Sequence, residues 1–191
     1  MLMSITEVRW HARAGQGAVT AAKILAEATM AQGEYVQAFP EYGPERMGAP
    51  LRAYNRISDA PLTMHCQVTN PNVVIVVDSS LLETQDVTDG TPEDAVFLVN
   101  TTHSPAEVAE KLGRPVDRVF TVDATQISID CLGRPIPNTP LLGALSRATG
   151  LVKLDVLLTD LAVNLKKKFP EKIVQGNTAS VERAYKEVKG I

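Results

Sequence analysis

Three short apolar stretches constrain this chain more than any other feature: Val73 to Asp78, Ala95 to Asn100 and Val119 to Asp123. Each is a continuous β-branched run, and a strand of that kind must be covered on both faces. Such strands belong in the middle of a parallel sheet, which needs helices packed on either side. Each run also ends in a small polar cluster: Asp78-Ser79-Ser80, Asn100-Thr101-Thr102 and Asp123-Ala124-Thr125. Open α/β sheets bind their ligands at the carboxyl ends of such strands.

The surrounding sequence supplies the helices and an antiparallel side. Thr6 to Trp10 reads as a first strand, and Ala12-Arg13-Ala14-Gly15-Gln16-Gly17 as the turn after it. A helix is predicted from about Gln16 to Gln32, with Val19, Ala22, Leu25 and Ala28 at helical spacing and Gly33 as its stop. Its many alanines allow a close approach to the sheet. Tyr35 to Phe39 is a second strand, followed by an irregular loop from Pro40 to Pro50. Leu51 to Ile57 alternates as a half-exposed strand, with Leu62 to Val68 as its expected antiparallel partner. Ser104 to Glu107 is a capping box with proline at the first helical position. Thr139-Pro140 opens a helix reaching about Gly150, and two apolar stripes follow, Leu154 to Leu165 and Val174 to Val188. The expected fold is a three-layer α/β/α domain spanning residues 1–191. Its sheet is mostly parallel with an antiparallel edge, and its C-terminal part is helical.

Composition narrows the function classes. A chain of 191 residues with 45% apolar residues buries roughly two-thirds of its unfolded surface without a covalent staple. Its apolar runs fall far short of the about 20 residues that cross a bilayer, and Met1 to Trp10 lacks a secretory stretch. A cytoplasmic location without membrane contact is expected. Lys plus Arg number 19 against 22 for Asp plus Glu, so the basic footprint of a nucleic-acid binder is missing. Cys66 and Cys131 stand alone, whereas a cluster or structural zinc site draws on about four ligands. No metal site is expected in this chain.

Candidate chemistry gathers around two loops. Gly15-Gln16-Gly17 opens a helix, where backbone N–H groups and the helix dipole favour an anion, and Arg13 adds a fixed charge. The same residues also read as a plain tight turn. Thr20 replaces the third glycine of the dinucleotide fingerprint, which disfavours NAD. The loop Pro40 to Pro50 is eleven residues long and carries Glu41, Glu45 and Arg46, a length that suggests function. Arg52, Tyr54 and Arg56 share one strand face, read either as an extension of a cationic surface or as ordinary solvated residues. Asn138, at a helix start, faces a ligand or supports its turn. No Ser/His/Asp order, no Gly-x-Ser-x-Gly elbow and no Gly-Asp-Gly thiamine pattern occurs. No catalytic residue is assigned.

Three segments resemble a known family: Trp10-His11-Ala12-Arg13-Ala14-Gly15-Gln16-Gly17, Ala38 through Pro50, and Pro137-Asn138-Thr139-Pro140-Leu141-Leu142-Gly143-Ala144. Together they are similar to the gamma subunits of pyruvate:ferredoxin oxidoreductases (pyruvate synthases), over essentially the whole chain. The resemblance implies a non-catalytic subunit of a complex that oxidatively decarboxylates a 2-oxoacid, forms acyl-CoA and passes electrons to ferredoxin. It implies that partner subunits hold thiamine diphosphate and iron–sulfur clusters, while this domain helps bind coenzyme A and braces the assembly. The expected coenzyme A contacts are Arg13, Gly15, Gln16, Gly17, Glu45, Arg46 and Asn138. Gamma domains of 2-oxoglutarate, branched-chain and indolepyruvate enzymes are similar, and a free-standing nucleotide-binding module is the alternative from another class.

Overall fold

A computed structural model describes residues 4–41 and 48–190. Strand β1 (Ile5–Arg13) leads to helix α1 (Ala18–Ala31), then β2 (Tyr35–Glu41) and β3 (Pro50–Ser58). After an irregular stretch come β4 (Val73–Val76), β5 (Val96–Asn100), α2 (Pro105–Leu112) and β6 (Val119–Val122). Four helices close the chain: α3 (Ala124–Leu132), α4 (Asn138–Thr149), α5 (Leu154–Lys166) and α6 (Glu171–Glu187). None is long and apolar enough to cross a membrane among the described residues.

The six strands lie in the order β2-β3-β1-β4-β5-β6. β1, β4, β5 and β6 run parallel, while β3 runs antiparallel to both of its neighbours. One face packs against the larger helical layer, in a core joining Val8, Trp10, Ile75, Leu98 and Val122 to residues of α1, α3, α4, α5 and α6. α1 contributes mainly alanines, with Ala18, Ala21, Ala22 and Ala28 all buried, as its composition predicted. The indole N–H of Trp10 donates to Asn55 Oδ1 (2.9 Å), and Asn55 Nδ2 donates to the Ala22 carbonyl (2.7 Å). A buried Trp keeps its polar atom satisfied in this way. α4 is buried on nearly every side, and it meets α6 closely enough that a Cβ on Gly143 would stand 2.0 Å from the Val181 carbonyl oxygen. On the opposite face, Val74, Val76, Phe97, Val99 and Val119 pack beneath α2.

The three apolar runs are the parallel strands expected of them, and the layered α/β class holds. Several boundaries and one pairing differ. β1 continues to Arg13, so Ala12 and Arg13 belong to the strand and not to the turn. Pro40, Glu41 and Pro50 also belong to strands, which shortens the predicted loop at both ends. Leu62 to Val68 forms no strand: both edges of β3 are already taken by β1 and β2. β3 itself is not half-exposed, because Ala53 through Ser58 are all buried. α3 was not anticipated. Its signals were Asp123 accepting from the Gln126 backbone as N-cap and Gly133 in the left-handed region as C-cap.

Candidate functional site

The carboxyl ends of β1, β4, β5 and β6 open onto one polar cavity of about 470 Å³. Its walls include Gln16, Asp78, Asn100, Thr101, His103, Asp123 and Thr125, with Pro135 and Pro137 opposite. The chain leaves β1 toward β2 and β3, and leaves β4 toward β5 and β6. The crevice between the ends of β1 and β4 is therefore the topological switch point, where ligands sit in open α/β sheets. Arg13 ends β1 at this point, and Asp78 follows β4.

Asn100 ties the floor together. Its amide donates to the Val77 carbonyl (2.9 Å) and Thr125 Oγ1 (2.8 Å), and its oxygen accepts from the Thr125 backbone (3.2 Å). Arg13 is fastened on three sides: to Ser80 Oγ through Nη2 (2.9 Å), to the Gly48 carbonyl through Nη1 (3.1 Å), and to Asp78 Oδ2 at 3.3 Å. Burial opposes ionisation of Asp78. Hydrogen bonds from Ser80 and Gln16 and the Arg13 charge outweigh it, so its carboxyl titrates below the usual range.

The helix N-termini at this edge fall into two kinds. The 3-10 turn Ser79–Glu83, α2 and α3 are each capped by a side chain of this chain: Asp78, Ser104 and Asp123. α1 and α4 carry no side-chain cap, so their first N–H groups lack the partner that a capping residue supplies. These two uncapped ends converge. Asn138 Nδ2 lies 3.3 Å from the Gly17 carbonyl, and a Cβ at Gly17, whose φ is +80°, would come within 2.6 Å of Asn138 Nδ2. Glycine is required here both for the left-handed backbone and for the approach of Asn138. Two uncapped helix N-termini thus meet at Gly17 and Asn138, four residues along the chain from Arg13, and such ends are suited to phosphate.

Of the residues singled out in the sequence, Gln16 lines the cavity, Arg13, Gly15 and Gly17 flank it on the same turn, and Asn138 meets that turn at Gly17. Glu45 and Arg46 lie outside the described residues. Glu41 does not face the cavity floor; it accepts a hydrogen bond from the Tyr54 hydroxyl on the sheet face away from α1. Arg52, Tyr54 and Arg56 are not a solvated strand face: Tyr54 is 3% and Arg56 1% exposed. Arg56 donates to Glu7 (2.8 Å), Gln37 (3.0 Å) and the Cys66 carbonyl (3.2 Å). His11 is fully buried on that same face against Gln85 (3.3 Å). Burial, reinforced by the Arg9 charge, pushes its pKa down to about 3, so the ring is neutral. In the sequence Asp78, Asn100 and Thr125 stand only as polar strand ends; Asp78 meets Gln16 and Asn100 meets Thr125 across the chain, and neither pairing leaves a local spacing.

The chain matches the family model for pyruvate ferredoxin/flavodoxin oxidoreductase over residues 7–187. It is 46% identical over 183 residues to the pyruvate synthase subunit PorC of Thermotoga maritima, covering 96% of this chain and 94% of that one. It is 47% identical to the common gamma subunit of the pyruvate and ketoisovalerate oxidoreductases of Pyrococcus abyssi, covering 96% and 97%. The crystal structure of Thermotoga maritima pyruvate oxidoreductase subunit PORC superposes with a TM-score of 0.84 at 44% identity and covers 97% of both chains. The layered sheet, the switch-point crevice and these likenesses agree: the chain belongs to the pyruvate ferredoxin/flavodoxin oxidoreductase family, in which it corresponds to the gamma subunit.

Proposed function

We propose that this chain binds the phosphates of coenzyme A at the Arg13–Gly17 turn and Asn138, within a cytoplasmic complex that oxidatively decarboxylates a 2-oxoacid. The observation that carries the reading is the convergence of two uncapped helix N-termini beside Arg13. Backbone N–H groups and a guanidinium together neutralise a phosphate with little reorganisation. The rest of the machinery lies with partner subunits, which hold thiamine diphosphate and the iron–sulfur clusters and pass electrons to ferredoxin. Two cysteines separated by 64 intervening residues do not supply the usual thiolate set of a cluster. In this reading the chain is non-catalytic and contributes binding and bracing.

Pyruvate is the favoured 2-oxoacid. Relatives of near-equal identity are named for pyruvate alone and for pyruvate together with ketoisovalerate. Selectivity among 2-oxoacids then resides in the partner subunits. Tagged chain drawn from native extract should bring thiamine- and cluster-bearing partners with it, and the isolated chain should not decarboxylate pyruvate. Recovery alone would favour a free-standing nucleotide-binding module. In the assembled complex, Arg13→Ala removes a charge-assisted contact typically worth about 1.5–3 kcal/mol. The apparent coenzyme A constant should rise roughly ten- to hundred-fold. An unchanged constant would remove the phosphates from this turn.

A further inference from the structure

One carboxylate ties the Arg13–Gly17 turn to the neighbouring strand. Asp78 divides its two oxygens between separate tasks. Oδ1 accepts from the Ser80 backbone (3.0 Å) and the Ser80 hydroxyl (2.6 Å), which closes the 3-10 turn after β4. Oδ2 accepts from Gln16 Nε2 at 2.8 Å and stands 3.3 Å from Arg13 Nε. Gln16 completes the circuit, since its Oε1 accepts from the Arg13 backbone N–H at 2.7 Å. Asp78, Gln16 and Arg13 thus form a closed ring of two hydrogen bonds and one ion pair across the switch point. The ring fixes the orientation of the Gln16 amide, with its donor toward the carboxylate and its acceptor toward the backbone.

We propose that Asp78 is the positioning residue of this site, holding Arg13 and Gln16 where an anion meets them. The inference rests on the coenzyme A reading above. It follows from which groups the two oxygens serve. An asparagine in place of Asp78 keeps an oxygen for the Ser80 cap but turns a donor toward the Gln16 donor. Gln16 must then turn over and release the Arg13 N–H, while Arg13 loses its counter-charge. The cap survives and the turn loosens.

The test uses the assembled complex and three variants. Asp78→Asn should speed hydrogen exchange in the segment Arg13 to Gly17. It should also raise the KM for coenzyme A on the order of tenfold, with kcat at saturating coenzyme A retained. Gln16→Glu added to Asp78→Asn restores the ring, because a glutamate accepts from both the Arg13 N–H and the new amide; exchange should return toward the wild-type value. Ser104→Ala, which removes a cap of the same kind on α2, should move neither readout. Unchanged exchange in Asp78→Asn would overturn the proposal. So would failure of exchange to recover in the double variant, since Asp78 would then not act on the turn through Gln16. Faster exchange with an unmoved KM would uphold the role of Asp78 in the turn and defeat the coenzyme A reading instead.

Discussion

The two halves of the sheet bury their outer face in opposite ways. Over β4, β5 and β6 the face beneath α2 is made of Val74, Val76, Phe97, Val99 and Val119. Over β1 and β3 the same face presents Glu7, Arg9, His11 and Arg13 beside Arg52, Tyr54, Arg56 and Ser58, by strict alternation with the core residues. Yet Arg9, His11, Tyr54 and Arg56 are as buried as the valines. Among the described residues no helix covers them. Irregular chain does, and the arginines satisfy its backbone: Arg9 Nη2 donates to the Val87 (2.9 Å) and Asp89 (2.8 Å) carbonyls, and Arg56 to the Cys66 carbonyl. Irregular segments carry carbonyls that no ladder pairs, and a guanidinium with five donors is suited to take them. A helical cover asks for apolar strand faces; a loop cover asks for long donors.

Substitutions can break or sharpen that contrast. Phe97→Ala in the apolar half should cost about 3–5 kcal/mol, chiefly as an unfilled cavity under α2. Chemical denaturation reads this directly, and a loss below about 1 kcal/mol would mean that the α2 side is not a packed layer. In the polar half, Arg56→Met should cost about 2–3 kcal/mol, because Glu7 and the Cys66 carbonyl lose their partner. Glu7→Leu added to Arg56→Met should then recover part of that loss, since the orphaned carboxylate goes too. Further loss in the double variant would refute the pairing account.

The halves should also differ in acid. His11 is held neutral in the fold, with a pKa near 3, against about 6.5 in the unfolded chain. The unfolded state takes up the proton first. The stability His11 contributes is therefore complete above about pH 6.5 and is lost as pH falls toward 3, by up to about 1.4 kcal/mol per pH unit. Between pH 7 and pH 5 the wild type should lose up to about 2 kcal/mol by this route, and His11→Gln should flatten that slope. An equal slope in both proteins would show that His11 is not the group responsible. The smallest expected effect lies where the halves meet. Gly17→Ala should cost about 1–2 kcal/mol, from its positive φ and its approach to Asn138. Thermal melts check this, and an unchanged melting temperature would contradict the strained geometry.

These two halves were not equally legible in sequence. Continuous β-branched runs have one physical use, so β4, β5 and β6 stood out, as did α1 with its alanine stripe. Alternation is ambiguous: Arg52, Tyr54 and Arg56 look the same whether water or a loop covers them. The pairing of Leu62 to Val68 failed for a related reason, because nothing local tells a strand that both its edges are occupied. Within the site, Arg13, Gly15, Gln16 and Gly17 were found through a local turn pattern, and Asn138 through a helix start. Asp78 joins them from 62 positions beyond Gln16, a relation that only the parallel pairing of β1 with β4 creates. α3 was missed although Asp123 and Gly133 marked its two ends.

The central claim is that the uncapped ends of α1 and α4, with Arg13, hold the phosphates of coenzyme A. Equilibrium titration of the assembled complex with coenzyme A and with pantetheine, which lacks the phosphates, tests it most directly. Arg13→Ala should weaken coenzyme A roughly ten- to hundred-fold and leave pantetheine where it was. Equal weakening of both ligands, or of neither, would contradict the account.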